Sequence, residues 1–172
     1  MKRTFIALLF LAMLVGFCSA GFAQANKEGK VAVLFTLNGL SELGTTPYNG
    51  GVGLKYYLTN GLAVRGSLGG SYTTGSDIET STDAIASAGI TSDILGTENT
   101  VAYVGGEVQY VHSNPSYNAY GFAGIIGGEF FPWNNVSLST EYKILVSRPG
   151  DGVTTVSLGK NLANFTLAIY FK

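Results

Sequence analysis

Charged residues are scarce in this sequence. Lys, Arg, Asp and Glu make up 12% of its 172 residues, whereas soluble domains usually contain about 25%. A soluble protein with so few charges could hardly cover its surface, but a protein that turns most of its outer surface to lipid could. The formal net charge of -1 leaves no excess of basic residues for a nucleic-acid surface, so we expect no nucleic-acid partner.

Long apolar runs are also missing, apart from one near the N-terminus. Two basic residues precede an apolar run over residues 5–17, and Ala23-Gln24-Ala25 matches a small-x-small cleavage site. This run is shorter than the roughly 20 residues that a membrane-spanning helix requires. We therefore predict a cleaved signal peptide over residues 1–25 and a mature chain over residues 26–172.

Cysteine and histidine occur only once each. We expect Cys18 to leave with the signal peptide; a lipoprotein cysteine is the alternative, which the bulky Phe17 before it disfavours. The mature chain would then have no thiol for disulfides, nucleophilic catalysis or metal binding.

His112 and the adjacent Ser113 would point to opposite faces of a strand, and we expect His112 on the surface beside a short turn. We predict no catalytic, cofactor or metal site, and hence no enzyme.

Two-residue alternation between apolar and small or polar residues recurs along the mature chain. It is clearest over residues 51–72, where Thr59-Asn60-Gly61 separates two alternating halves, as in a β-hairpin. The whole pattern predicts eight strands, over residues 31–38, 51–58, 62–72, 100–112, 117–131, 136–147, 153–158 and 164–171. Residues 117–131 could instead form two short strands, but their unbroken alternation favours one.

The charged residues within these strands all fall on the face that otherwise carries Gly, Ala and Ser. They are Lys55, Arg65, Glu107, Glu129, Glu141 and Lys143, and their formal charges cancel. Two architectures produce such a partition: a soluble barrel of lipocalin type with the apolar face inside, or an outer-membrane barrel with the apolar face outside. The small-residue face is too bare for a solvated surface and suits a narrow lumen. The apolar face carries aromatic residues near strand ends, as an interfacial belt would; these are Tyr56, Tyr72, Tyr110, Tyr120, Phe130 and Tyr142. We therefore predict an all-β fold, an eight-stranded antiparallel up-and-down transmembrane β-barrel with a polar lumen.

The connections between the predicted strands are unequal in length. Residues 39–50 and 74–98 are long and polar, whereas 59–61 and 113–116 are short, and outer-membrane barrels combine long extracellular loops with short periplasmic turns. The 74–98 loop has acidic residues and no Lys or Arg; they are Asp77, Glu79, Asp83, Asp93 and Glu98. It could bind divalent cations or a surface partner. Because it lacks the ligand spacing of a calcium loop, we predict a solvated loop.

Residues 30–172 resemble the small OmpA/OmpX-type outer-membrane β-barrels of bacteria. The resemblance is carried by the hairpin over residues 51–65, its echo over residues 128–142 and the last strand over residues 164–171. It implies a bacterial outer-membrane location, contact with lipid and insertion by the barrel-assembly machinery. In this family, alternating apolar residues at the C-terminus are the assembly signal; here they are Phe165, Leu167, Ile169 and Phe171.

The sequence leaves three functions open. The first is a non-enzymatic, monomeric barrel without cofactor, whose lumen is plugged by ion pairs and whose role in the cell envelope is structural or surface interaction. The second is a narrow porin-like channel for small solutes, with the lumenal charges along its path. The third is a secreted lipocalin-like binder of an apolar ligand.

Overall fold

The computed structural model describes residues 27–38, 50–75, 78–114, 117–149 and 154–171. These residues form one closed antiparallel β-barrel, in which each strand pairs with its neighbours in sequence and the last strand pairs with the first. The strands are β1 (Val31–Asn38), β2 (Gly50–Tyr57), β3 (Leu62–Gly75), β4 (Ile78–Gly96), β5 (Thr100–Asn114), β6 (Tyr117–Trp133), β7 (Val136–Pro149) and β8 (Thr155–Phe171). The predicted signal peptide and Cys18 lie outside the described residues.

Closure gives every strand two hydrogen-bonded neighbours. In β1, Val33 lies opposite Leu54 of β2 on one side and Ile169 of β8 on the other. A closed sheet has no free edge, which is the condition for placing strands in hydrocarbon. The described residues contain no helix that is long and apolar enough to cross a membrane.

The barrel turns its large apolar side chains outward. Leu54 is 58% exposed and Leu68 is 65% exposed, although both lie in the middle of the sheet. Small and polar residues alternate with them and face the interior, as does an interior cluster formed by Ala32, Leu34, Tyr57, Ala63, Ala168 and Tyr170. The predicted eight-stranded barrel with apolar residues outside is confirmed, because a lipocalin-type arrangement would bury Leu54 and Leu68.

The prediction of a loop over residues 74–98 is wrong. Residues 78–96 form β4, which pairs with β3 and β5 along most of its length. Its outward positions carry small residues such as Ala84, Ala86 and Ala88, so the strand lacks the strong apolar alternation of its neighbours. Backbone hydrogen bonds to two flanking strands hold it regardless of side-chain hydrophobicity.

A second wrong prediction concerns the C-terminus. Residues 155–171 form one strand, β8, rather than the predicted strands at 153–158 and 164–171, between which Gly159-Lys160-Asn161 has the composition of a turn. The pairing of β7 with β8 shifts register between Tyr142, which pairs with Ala163, and Ile144, which pairs with Leu158. The polar residues between Leu158 and Ala163 therefore lie at an irregularity within the pairing and not in a turn between two strands. The missed β4 and the divided β8 compensate each other, so the predicted number of strands is nevertheless eight.

The prediction that residues 117–131 form one strand is confirmed, since they lie within β6.

The presence of β4 also explains why the similar turns after β2 and β6 lie at the same end of the barrel. We call this the turn end; it has the connections at 58–61, 97–99 and 134–135. The opposite end, where Asn38, Gly75, Asn114 and Pro149 end their strands, is the loop end. Asn114, within the predicted turn at 113–116, and Tyr117, just after it, therefore lie at the loop end, and the predicted grouping of that turn with the turn at 59–61 is wrong.

Candidate functional site: the charged lumen

Ionisable side chains meet inside the barrel, closer to the turn end than to the loop end. The structure places Lys55, Arg65, Glu107, Glu129, Glu141 and Lys143 on the interior face, each with a partner of opposite charge. It adds an ion pair between Lys27 and Asp93, which the sequence pattern did not indicate. The four cations and four carboxylates of these described pairs cancel in formal charge.

Glu129 is the centre of the first cluster and is 2% exposed. One carboxylate oxygen accepts hydrogen bonds from Lys55 Nζ at 2.9 Å and Tyr57 Oη at 3.4 Å. The other accepts from Ser137 Oγ and Tyr170 Oη, both at 2.5 Å. The carboxylate thus has donors on both oxygens, which is the condition for keeping a charge in a buried site.

Arg65 is the centre of the second cluster and connects two strands that are far apart in sequence. Its guanidinium donates to both oxygens of Glu141, one of them at 3.1 Å, and to Glu107 at 2.6 Å. Tyr103 Oη donates to Glu141 at 2.7 Å. Lys143 donates to Glu107 at 2.5 Å. Arginine suits this position because its fork of donors can serve two carboxylates at once.

Lys27 closes the lumen at the turn end. It precedes β1, yet only 3% of it is exposed. Its Nζ lies 3.0 Å from Asp93 and 3.4 Å from Tyr57 Oη, and 4.7 Å from the centre of the Phe131 ring. Burial lowers the pKa of Lys27, and the nearby carboxylate of Asp93 opposes this shift without reversing it.

The backbone around Lys27 is fixed by the first turn. Asn60 accepts hydrogen bonds from the backbone N–H groups of Lys27 and Glu28 at 3.0 and 3.2 Å. Gly29 has a φ of 76°, a left-handed conformation that glycine adopts without strain. Its N–H donates to the carbonyl of Tyr57 at 3.0 Å. Residues 27–30 therefore form a strap across the turn end.

Glycine makes room for the second cluster. Tyr103 lies against Gly127, where an added Cβ would be 2.5 Å from the tyrosine ring. Gly127 lies between Tyr103 and Glu141 in one row of the barrel wall, and its lack of a side chain allows Tyr103 to reach Glu141.

We expect Gly127→Ala to lower the free energy of unfolding by about 1–3 kcal/mol, because the added methyl group forces the Tyr103 ring away. Gly124→Ala, in the same strand, is the control, since no atom lies within 4 Å of its added Cβ. It should leave stability unchanged or raise it by about 0.4–1 kcal/mol. Urea unfolding in lipid vesicles measures both, and equal stabilities would contradict the packing of Tyr103 on Gly127.

The predicted acidic loop does not exist as one surface. Glu79 and Asp83 lie within β4, and Asp77 lies outside the described residues. Asp93 faces the lumen and pairs with Lys27, whereas Glu98 is exposed in the turn after β4. Because a strand is extended, with a rise of about 3.3 Å per residue, β4 holds Glu79, Asp83 and Asp93 at separate positions along its length, whereas a flexible loop could bring them together.

His112 is exposed near the end of β5, as predicted, but at the loop end of the barrel rather than at the turn end. Its Nδ1 lies 2.7 Å from Asn118 Oδ1 of the adjacent strand. Among the described residues, no group of three His, Cys, Asp or Glu side chains is arranged to hold a metal ion.

The four residues of the predicted assembly signal lie in β8. Phe165, Leu167, Ile169 and Phe171 alternate with the buried residues Asn164, Thr166, Ala168 and Tyr170. Phe171 ends the strand at the turn end and is 51% exposed. The strand thus presents one apolar face outward and one interior face.

Comparison with known proteins supports the fold. No family model and no curated protein matches the sequence. The barrel is similar to the crystal structure of the outer membrane protein OprG from Pseudomonas aeruginosa, with a TM-score of 0.52 and 12% identity over 86% of this chain and 98% of that one. It is also similar to the Yersinia pestis outer membrane protein Ail in a phospholipid bilayer nanodisc, with a TM-score of 0.51 and 17% identity over 84% of this chain and 100% of that one. The fold is therefore that of the small outer-membrane β-barrels, as the sequence resemblance predicts.

Proposed function

We propose, on the premise of this shared fold, that the chain is an integral protein of a bacterial outer membrane and that its lumen is closed to ions. Its role would be non-enzymatic, either structural in the cell envelope or in surface interaction at the loop end. The predicted signal peptide provides the export that this location requires.

The outer surface supports the membrane location. Large apolar side chains such as Leu54, Leu68 and Ile126 are exposed on the outside of the barrel, where a soluble barrel would meet water. Aromatic side chains lie outward near both ends, with Tyr56, Phe130 and Trp133 towards the turn end and Tyr110 and Tyr120 towards the loop end. Such belts are typical of the two membrane interfaces.

The pairing of the lumenal charges is the observation that carries the proposal of a closed lumen. Each described cation inside the barrel contacts a carboxylate, and the tyrosines of both clusters fill space between the pairs. A barrel of eight strands has an interior just wide enough for side chains. An ion would have to separate buried pairs to pass, and each separation leaves an uncompensated charge.

Conductance tests this proposal against a narrow channel. Purified protein that migrates differently on a gel before and after heating, as a folded barrel does, is added to a planar lipid bilayer. We expect no steady current above that of the lipid alone, and a general porin in the same bilayer serves as the positive control. Steady current from the folded protein would instead assign it a porin-like function. Recovery of the protein from the soluble fraction would overturn the membrane location itself.

A further inference from the structure

Arg148 departs from the rule that strand charges face the lumen. It lies next to the loop end of β7, opposite Tyr120 of β6, and is exposed on the outward face. Among the strand residues whose side chains the structure describes, it is the only charged one that faces outward. A cation on the lipid face is costly at the bilayer midplane but tolerated near the interface, and the adjacent tyrosine is typical of an interface.

Arg148 belongs to a row of outward residues that crosses five strands. In this row Leu68 pairs with Ala86, Ala86 with Tyr110, Tyr110 with Tyr120, and Tyr120 with Arg148. The two tyrosine rings are 5.1 Å apart between centres. The row therefore changes from apolar, through a small residue and two amphipathic rings, to a cation.

A groove crosses this row where the small residues of β4 lie between larger neighbours. The cavity has a volume of about 860 Å³. Ala86 and Ala88 form its floor, Leu54 and Leu68 line one side, and Val108, Tyr110 and Tyr120 line the other. On the lipid-facing side of a barrel, such a groove has the width and polarity to take a hydrocarbon chain rather than a polar ligand.

We propose that this groove and Arg148 form a binding site for one anionic lipid of the leaflet at the loop end. One acyl chain lies over Ala86 and Ala88, and the phosphate of the headgroup contacts Arg148, with the hydroxyl of Tyr120 beside it. This site rests on the proposed membrane location and adds a specific lipid to it.

The dimensions fit such a lipid. Neighbouring strands are about 4.8 Å apart, so the three steps from Ala86 to Arg148 span roughly 14 Å. Strands of such barrels tilt by about 35–45°, so a row that crosses them runs obliquely through the leaflet, whose hydrocarbon is about 15 Å deep, half of the bilayer core. Along this row the positions approach the loop end, from Ala86 inside β4 to Arg148 beside the last residue of β7. A phosphate at Arg148 can therefore belong to the same molecule as a chain in the groove.

Charge favours a lipid over a second copy of the chain as the occupant. Among the strand residues whose side chains the structure describes, the carboxylates face the lumen. These carboxylates of a second barrel could therefore not pair with Arg148 on the outer surface. Packing across a two-fold axis at this row would also bring two copies of Arg148 close together. A phosphate group supplies the negative charge that a second copy of the chain would not bring to Arg148.

Lipid retention tests the site. The full chain is folded into vesicles of phosphatidylcholine with phosphatidylglycerol as the minor lipid, extracted in mild detergent and weighed by native mass spectrometry. We expect one bound phosphatidylglycerol. Arg148→Gln should weaken its retention about fivefold, because one interfacial cation is lost, and Arg148→Lys should restore most of it. Ala86→Phe should abolish retention by filling the groove, whereas Ala102→Phe, an equal change on the outward face of β5 outside the groove, should not.

The outcomes separate this site from the membrane location. Folded protein in the outer-membrane fraction that retains no lipid, or retains phosphatidylcholine equally, would overturn the site and leave the location standing. Equal retention by Ala86→Phe and Ala102→Phe would also overturn it. Cross-linked dimers that disappear in Ala86→Phe, without bound lipid, would assign the groove to a second copy. Absence from the outer-membrane fraction would overturn the location first.

Discussion

Replacing Arg65 with leucine should lower the free energy of unfolding by about 3–5 kcal/mol, because it leaves buried charges without their partner. Glu141 would keep only the hydroxyl of Tyr103 as a described donor, and Glu107 would depend on Lys143 and Gln109. Neither carboxylate can turn to bulk water, since both are at most 5% exposed. We also expect Arg65→Leu to fold more slowly or incompletely, because the second cluster joins β3, β5 and β7.

Leu68→Ile is the matched control for Arg65→Leu. Leu68 lies three residues further along the same strand and is 65% exposed on the outer face. Exchange of one apolar isomer for another at this position should change stability by less than about 0.5 kcal/mol. Urea unfolding in vesicles, followed by the fluorescence of the single tryptophan, Trp133, measures both variants. Equal stability of the two would contradict the ion pairing of Arg65 inside the lumen.

Glu129→Gln should cost a similar amount, about 3–5 kcal/mol, since it removes the carboxylate that Lys55 contacts. The amide keeps the size of the side chain but provides one acceptor oxygen for the four donors that converge there. Glu98→Gln makes the same chemical change in an exposed turn residue. It should alter stability by no more than about 0.5 kcal/mol.

A double variant distinguishes lost pairing from lost packing. If the cost of Glu129→Gln arises from the stranded ammonium group of Lys55, then Lys55→Met combined with Glu129→Gln should recover much of it. The two single changes would then sum to more than the double change, with a coupling of about 1–3 kcal/mol. Additive costs would show that Lys55 and Glu129 act independently, and would remove the argument for a lumen closed by ion pairs.

The strap of residues 27–30 shows a limit of reading strands by their alternation. Lys27 lies four residues before β1, where no period-two pattern extends, and Asp93 lies in the segment predicted as a loop. Their positive and negative charges gave no signal of pairing, because they are 66 residues apart in sequence. Only the return of β4 to the turn end brings Asp93 beside the strap.

The same limit explains the errors in the strand assignment. β4 was missed because Ser, Thr and Ala occupy nine of its 19 positions, and β8 was divided because Gly159-Lys160-Asn161 has the composition of a turn. Hydrogen bonds to two neighbouring strands hold both segments in the sheet, although their own residues have little propensity for β-structure. Tertiary context overrides that propensity. A count of strands could have revealed β4. Successive strands run in opposite directions, so the turns after β2 and β6 lie at the same end only if an odd number of strands lies between β2 and β6. The sequence pattern gave two, over residues 62–72 and 100–112, so one strand was missing between them.

The sequence by itself determined which side of the barrel is apolar and which is charged. Side chains alternate strictly along a strand, and a charge on the lipid side is penalised, so Lys55, Arg65 and Glu129 had to share a face. The tertiary structure alone decided that Lys55 meets Glu129, that Arg65 meets Glu107 and Glu141, and that Ala86 forms the floor of an outer groove. The reason is that local alternation sets only the direction of a side chain, whereas its neighbours are set by the register between strands and by closure of the sheet, which depend on hydrogen bonds between segments far apart in the chain.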